Sequence, residues 1–391
     1  MSLLRSLSTR GLIALVAAFC AVIAGGAAIA IAASGGGPVP RAEPLDQAIH
    51  DALAGGKPEG VSARITFTNR LFPSGALTGQ VGSALMSGAS GRLWLTGDGR
   101  GRLELQSDAG DVQIVWDSKA VSVYDASSNT VYRADLPAAS STPDASTPTP
   151  ETPPTLADID NALAKLGLHW TLSAAEPTDV AGQAAYSVTG SPKHDGGLLG
   201  SLELAWDAAN GTPLRAGIYA EGDSSPVLEL AVTDITFGPV AASDVAVAPP
   251  ADAKVVDLSS GSDSTSGSDR EPSTPAVTGL AAVRAAADFP VVAPDSLVGL
   301  PLKDVRLIGG KTALALYGEG LGGIAIVERK AVPVSASQLS GLPTVALDGL
   351  TAHELATPLG TVLEWQSGGT SFLLAGSLPA AAAEAAARAV Q

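Results

Sequence analysis

Residues 91–134 read GRLWLTGDGRGRLELQSDAGDVQIVWDSKAVSVYDASSNTVYRA, and this stretch decides the fold. It holds five short segments: Gly91 to Thr96, Arg102 to Gln106, Val112 to Trp116, Ala120 to Tyr124 and Thr130 to Ala134. Between them lie Gly97-Asp98-Gly99, Ser107 to Asp111, Asp117-Ser118 and Asp125 to Asn129. Strand side chains alternate between faces, and turn chemistry at this regular spacing produces an antiparallel meander.

Upstream, Val61, Ala63, Ile65 and Phe67 alternate with Ser62, Arg64, Thr66 and Thr68, the pattern of a half-buried strand. Before it, Leu45, Ala48, Ile49 and Ala52/Leu53 share one helical face, and after it Leu71 to Gly88 is looser. Downstream, LADIDNALAKL (Leu156 to Leu166) has helical spacing through Ile159, Leu163 and Leu166. Strands resume at His169 to Ala174 and Ala184 to Gly190. Leu202 to Trp206 and Leu214 to Tyr219 flank the hairpin pair Asn210-Gly211, and Val227 to Phe237 is the last long strand. Residues 40–257 therefore read as one large antiparallel sheet with two helices. Such a sheet must curl and bury its concave face.

Residues 278–391 read as a smaller α+β region. A short helix is expected at Val283 to Ala287, and strands at Arg306-Leu307, Thr312 to Tyr317 and Ile324 to Arg329. A hairpin joins Val362 to Gln366 and Thr370 to Ala375, and an Ala-rich helix starts near Pro379. Pro137 to Thr155 and Leu258 to Pro275 are low-complexity stretches that cannot bury enough apolar surface to offset ordering entropy. The expected organisation is an N-terminal segment 1–33, a spacer 34–44, a sheet domain 45–257 with a loop at 137–155, a linker 258–277 and a small domain 278–391.

Arg5 and Arg10 precede an uncharged run from Gly11 to Ala33. As a helix it spans roughly 35 Å, enough to cross a bilayer core of about 30 Å. The basic residues in front place the remainder of the chain outside the cytoplasm. The length favours an uncleaved single-pass anchor over a signal peptide. Cleavage near Ala28–Ala30 or after Ala33, which releases a secreted protein, is the alternative.

The chain has 391 residues, 39 acidic and 23 basic, for a net charge of −16. That balance opposes nucleic-acid binding, which relies on basic surface. One cysteine excludes an internal disulfide or a Cys-rich metal site, and four dispersed histidines offer no metal-ligand spacing. No Gly-x-Ser-x-Gly elbow is present, so no enzyme, metal or cofactor is expected. Gly318-x-Gly320-x-x-Gly323 has dinucleotide-fingerprint spacing, but a strand follows it where a helix is required, so it reads as a hairpin loop. Asp158 and Asp160 lie in a first helical turn, where carboxylates complement the dipole.

The series Gly91-x-Leu93-Trp94-Leu95, Arg102-Leu103-Glu104-Leu105, Gln113-Ile114-Val115-x-Asp117-x-Lys119, Val123-Tyr124-Asp125 and Asn129-x-Val131-Tyr132 resembles the LolA-like family of periplasmic lipoprotein carriers. Gly182-x-x-Ala185-Tyr186, Trp206-Asp207-x-x-x-Gly211-x-Pro213-Leu214-Arg215, Thr233-Asp234-Ile235-x-Phe237-Gly238 and Pro249 to Val255 continue it. The resemblance implies a half-open antiparallel barrel around helices whose apolar concavity holds acyl chains. Its implied partners are a lipid or an acylated lipoprotein. Carriers of the family have Arg-Pro after the Leu-Trp-Leu strand, where this chain has Gly97-Asp98.

The two-domain layout also resembles the RseB-like sensors, which implies the alternative of an envelope-stress regulator acting through a membrane-bound partner such as an anti-sigma factor. Phe67, Leu93, Leu95, Leu103, Leu105, Ile114, Trp116, Tyr124, Ile218, Leu228 and Leu230 are the residues expected to line the concavity. Ordinary core packing is the competing account of the same residues.

Overall fold

The computed structural model describes residues 39–72, 84–136, 154–194, 196–258, 277–331 and 341–390. The expected N-terminal span, most of the loop at 137–155 and most of the linker at 258–277 lie outside them. No helix of the described residues is long and apolar enough to cross a membrane.

Thirteen strands form the first sheet: β1 (Gly60–Asn69), β2 (Ala89–Thr96), β3 (Gly101–Gln106), β4 (Val112–Trp116), β5 (Ala120–Asp125), β6 (Thr130–Asp135), β7 (Trp170–Leu172), β8 (Glu176–Val180), β9 (Gln183–Pro192), β10 (Leu199–Asp207), β11 (Pro213–Ala220), β12 (Pro226–Phe237) and β13 (Lys254–Asp257). Their order is β13-β6-β5-β4-β3-β2-β1-β12-β11-β10-β9-β7, with β8 on β9, so the sheet has two free ends and is not a closed barrel. The five-strand meander is β2 to β6. β1 and β12 join it to a second meander, β9 to β12.

Besides two short helices that were not expected, at Ala84–Ser87 and Ala242–Val245, two features of the sheet differ from the expectation. β13 lies parallel to β6, Lys254 opposite Thr130 and Asp257 opposite Arg133, so the sheet is not wholly antiparallel. β8 was not expected, because Glu176-Pro177-Thr178-Asp179 has no apolar alternation; as an edge strand it needs none.

Helix α1 (Leu45–Ala54) buries Ala48 and Ala52 against Tyr186 and Trp206. Helix α2 (Ala84–Ser87) is held to β1 by the buried Asn69, whose Nδ2 donates to the Leu85 carbonyl at 2.6 Å. Helix α3 (Leu156–Leu166) packs on α1 and begins with a capping box. There the Asp158 N–H donates to Thr155 Oγ1 and the Thr155 N–H donates to the Asp158 carboxylate. The Thr155 hydroxyl, donating to the same carboxylate at 2.7 Å, and the Thr155 N–H hold the Asp158 carboxyl below its usual range. A short α4 (Ala242–Val245) lies against β2 and β3.

The second sheet comprises β14 (Val277–Thr278), β15 (Ser296–Leu297), β16 (Leu300–Ile308), β17 (Thr312–Tyr317), β18 (Ile324–Lys330), β19 (Thr344–Leu347), β20 (Leu350–Thr357), β21 (Gly360–Ser367) and β22 (Thr370–Gly376). Helices α5 (Leu280–Ala286) and α6 (Ala380–Arg388) pack against it. Its core stacks Trp365 on Phe372 with ring centres 5.1 Å apart. The glycines at 318–323 form a hairpin loop with one 3-10 turn between β17 and β18, as the strand after them requires. Glu328 is fully buried in this core.

Candidate functional site

Register places the side chains of the first sheet in rows across its strands. Ala63–Leu93–Leu103–Ile114–Val123–Tyr132 is one row, and Val61–Leu95–Gly101–Trp116–Val121–Ala134 the next. Nearly all of these belong to one packed core. Leu93, Leu95, Leu103, Leu105, Ile114 and Trp116, all expected to line a concavity, are at most 9% exposed. Gly101 makes room for the indole of Trp116, since a Cβ there would sit 2.1 Å from a ring carbon. This half of the face is filled.

Alternation along β1 carries the same face to Phe67 and Asn69. Two further rows run from there across the second meander. One is Leu172–Gly190–Leu202–Ile218–Leu228–Asn69, the other Val188–Leu204–Ala216–Leu230–Phe67. Leu172, Val188, Leu202, Leu204, Ala216, Ile218, Leu230 and Phe67 are only half-buried. Helix α1 covers the Val188 and Leu204 end, with Leu45 and Ile49 packing there. An apolar strip two rows wide thus lies beside the solid core.

The entry into α1 is fixed at this end. The Tyr186 hydroxyl donates to the Arg41 carbonyl at 2.6 Å and to the Glu43 carboxylate. Burial, then the Glu43 carboxylate and the charge of Asp51, push its phenol well above the usual range, so it stays a neutral donor.

The structure therefore divides the eleven expected residues. Six lie in the filled core, and Phe67, Ile218, Leu228 and Leu230 lie on the strip. Tyr124 is a correction. It sits on the opposite face, paired with Gln113 and Val131, and its hydroxyl donates to Asn129 at 3.2 Å. Val121 and Val123 take the inner positions of β5, and period-two alternation excludes Tyr124 from that face. Sequence reading missed Leu172, Val188, Leu202, Leu204 and Ala216. The alternation Leu202/Leu204/Trp206 was a usable signal for two of them.

The opposite face is polar. A groove of about 570 Å³ there is lined by Arg64, Thr66, Ser90, Arg92, Glu104, Gln106 and Thr233 among others, a lining unsuited to alkyl groups. Gly97-Asp98 closes its own turn, where Arg100 Nε donates to Asp98 at 2.8 Å and Thr96 donates to the same carboxylate. Among the described residues no three His, Cys, Asp or Glu side chains are grouped to hold a metal ion.

No family model matches this chain, and no curated protein matches it. Solved structures similar to it include MucB in complex with MucA(peri), at 15% identity over 85% of this chain and 93% of that one, with a TM-score of 0.40. The Pseudomonas aeruginosa MucA/MucB complex gives 14% identity, 88% and 94% coverage and a TM-score of 0.40. A putative outer membrane lipoprotein-sorting protein domain from Vibrio parahaemolyticus gives 13% identity, 48% and 89% coverage and a TM-score of 0.20.

Proposed function

We propose that this chain is a non-enzymatic, extracytoplasmic protein, membrane-anchored through its N-terminal run, that binds the acyl chains of a lipid or lipoprotein on the strip of the first sheet. The observation that carries the reading is the contrast on one face. The rows through Leu103 and Trp116 are buried except for Ala134, while those through Leu204, Ile218 and Leu230 keep several apolar side chains only half-buried. Two aligned rows, apolar except for Asn69 and flanked by α1, suit a flexible alkyl chain. Burial contributes about 0.8 kcal/mol per CH₂, so a contact of roughly eight to ten carbons reaches the micromolar range before association costs.

A regulator acting through a membrane protein is the second reading. It is favoured by a second sheet with its own core, which among the described residues meets the first sheet through Leu359 and Ser377.

Native mass spectrometry of the purified full chain tests the first reading. Adducts of lipid mass are expected, and they should be lost in Leu204→Asp/Leu230→Asp with the circular dichroism spectrum retained. A clean unliganded mass with no uptake of added phospholipid or acylated peptide would refute it.

A further inference from the structure

The turn Thr357-Pro358-Leu359-Gly360, between β20 and β21 of the second sheet, reaches the first sheet. Leu359 packs into a cluster of Ala220, Val227 and Leu228 that also includes Phe67, Leu71 and Ile218. Ile218 and Leu228 belong to one row of the strip and Phe67 to the other, and Phe67 also touches the filled core. A side chain of the second unit thus occupies the outer rim of the strip, beside the row of Ile218 and Leu228.

The contact is built. Thr357 braces the turn, donating its hydroxyl to the Gly360 carbonyl at 2.8 Å and accepting the Leu359 N–H at 3.3 Å, so the leucine is presented from a fixed tip. Ser377 relays the two units. It accepts the Leu198 N–H at 2.9 Å and donates to the Leu359 carbonyl at 2.8 Å. Gly197, at φ +60°, approaches Ser377 so closely that a Cβ would lie 2.4 Å from its carbonyl oxygen, which demands glycine twice over.

We infer that this rim is an alkyl-binding site filled in cis by Leu359, so that docking of the turn and seating of an alkyl chain there exclude each other. The inference rests on the acyl-chain reading of the strip. A leucine side chain and a short alkyl segment share bulk and chemistry, and one apolar surface cannot be buried twice. Among the described residues the two units meet through Leu359, the Ser377 relay and Gly197, a contact of the kind that leaves two units free to separate. Apparent affinity for a ligand is lowered by the fraction of molecules whose rim is free.

The test uses the full chain and a fluorescent dodecanoic acid. Leu359→Asp, which cannot re-enter the rim, is expected to bind the probe about tenfold tighter than wild type, equivalent to about 1.4 kcal/mol. Ser377→Ala, a milder change, should give about threefold and carries the test if Leu359→Asp does not fold. In a Cys20→Ser background, a Leu359→Cys thiol should react faster with maleimide as the probe saturates. Wild-type binding with unchanged affinity in the variants, or with constant thiol reactivity, would overturn the plug and leave the acyl reading standing. Binding by Leu359→Asp alone would support the plug strongly. Binding by neither would remove the acyl reading and the plug's ligand with it.

Discussion

Glu328→Gln isolates the electrostatics of the second core. Glu328 lies on β18 between Ala313 of β17 and Phe372 of β22 and is fully buried. Its Oε2 accepts the Val292 N–H at 2.8 Å, while Oε1 has no partner among the described residues, and neither has the nearby buried Tyr317 hydroxyl. Burial pushes the carboxyl from its ordinary 4.5 up to about 7, with the Val292 N–H and the Arg284 guanidinium pulling the other way. At about 1.4 kcal/mol per pH unit, this corresponds to about 3 kcal/mol between the two protonation states. The folded state holds the proton more tightly than the unfolded chain. The associated stability is therefore full below pH 4.5 and is lost as pH rises through 7. Glutamine keeps the acceptor for Val292 and never ionises. The variant should match wild type within about 1 kcal/mol at pH 4 and exceed it by up to about 3 kcal/mol at pH 8. Urea denaturation at both pH values, followed by hydrogen-exchange protection of the β21–β22 peptides, measures this. A variant less stable than wild type at pH 8 would show that Glu328 and Arg284 form a net favourable pair, and the burial argument would fail.

Leu105→Ala, in the filled core at 2% exposure, should cost about 2–5 kcal/mol in urea denaturation and abolish cooperative unfolding of the first sheet if that sheet is marginal. Leu230→Ser, on the half-buried strip, should cost under about 1.5 kcal/mol yet weaken binding of an alkyl probe several-fold by fluorescence titration. Gly101→Ala should displace the Trp116 indole and cost about 1–3 kcal/mol, with a red shift in tryptophan emission. Thr155→Ala removes the cap of α3 and should lower exchange protection of its first turn by about 1 kcal/mol.

The local patterns of this chain were legible without coordinates. Val61 to Thr68, Val112 to Trp116 and Leu156 to Leu166 formed the elements their periodicity predicts, because period two and period 3.6 each expose one apolar face to burial. Tyr124 was misassigned although Val121 and Val123 already occupied the inner parity of its strand. Thr344 to Thr357, with no clear alternation, gave no signal for β19 and β20, whose pairing with β21 supplies the order they lack alone.

Sequence by itself determined which residues are apolar and at what period. It could not divide the inner face into a filled half and a half-buried strip, since Leu105 and Leu204 are alike in local pattern and differ only in what packs over them. It held no trace of the parallel pairing of β13 with β6, or of Leu359 packing on the distant cluster of Ala220, Val227 and Leu228. Burial, strand partnership and inter-unit contact are set by through-space closure of distant segments, and only the tertiary structure decides them.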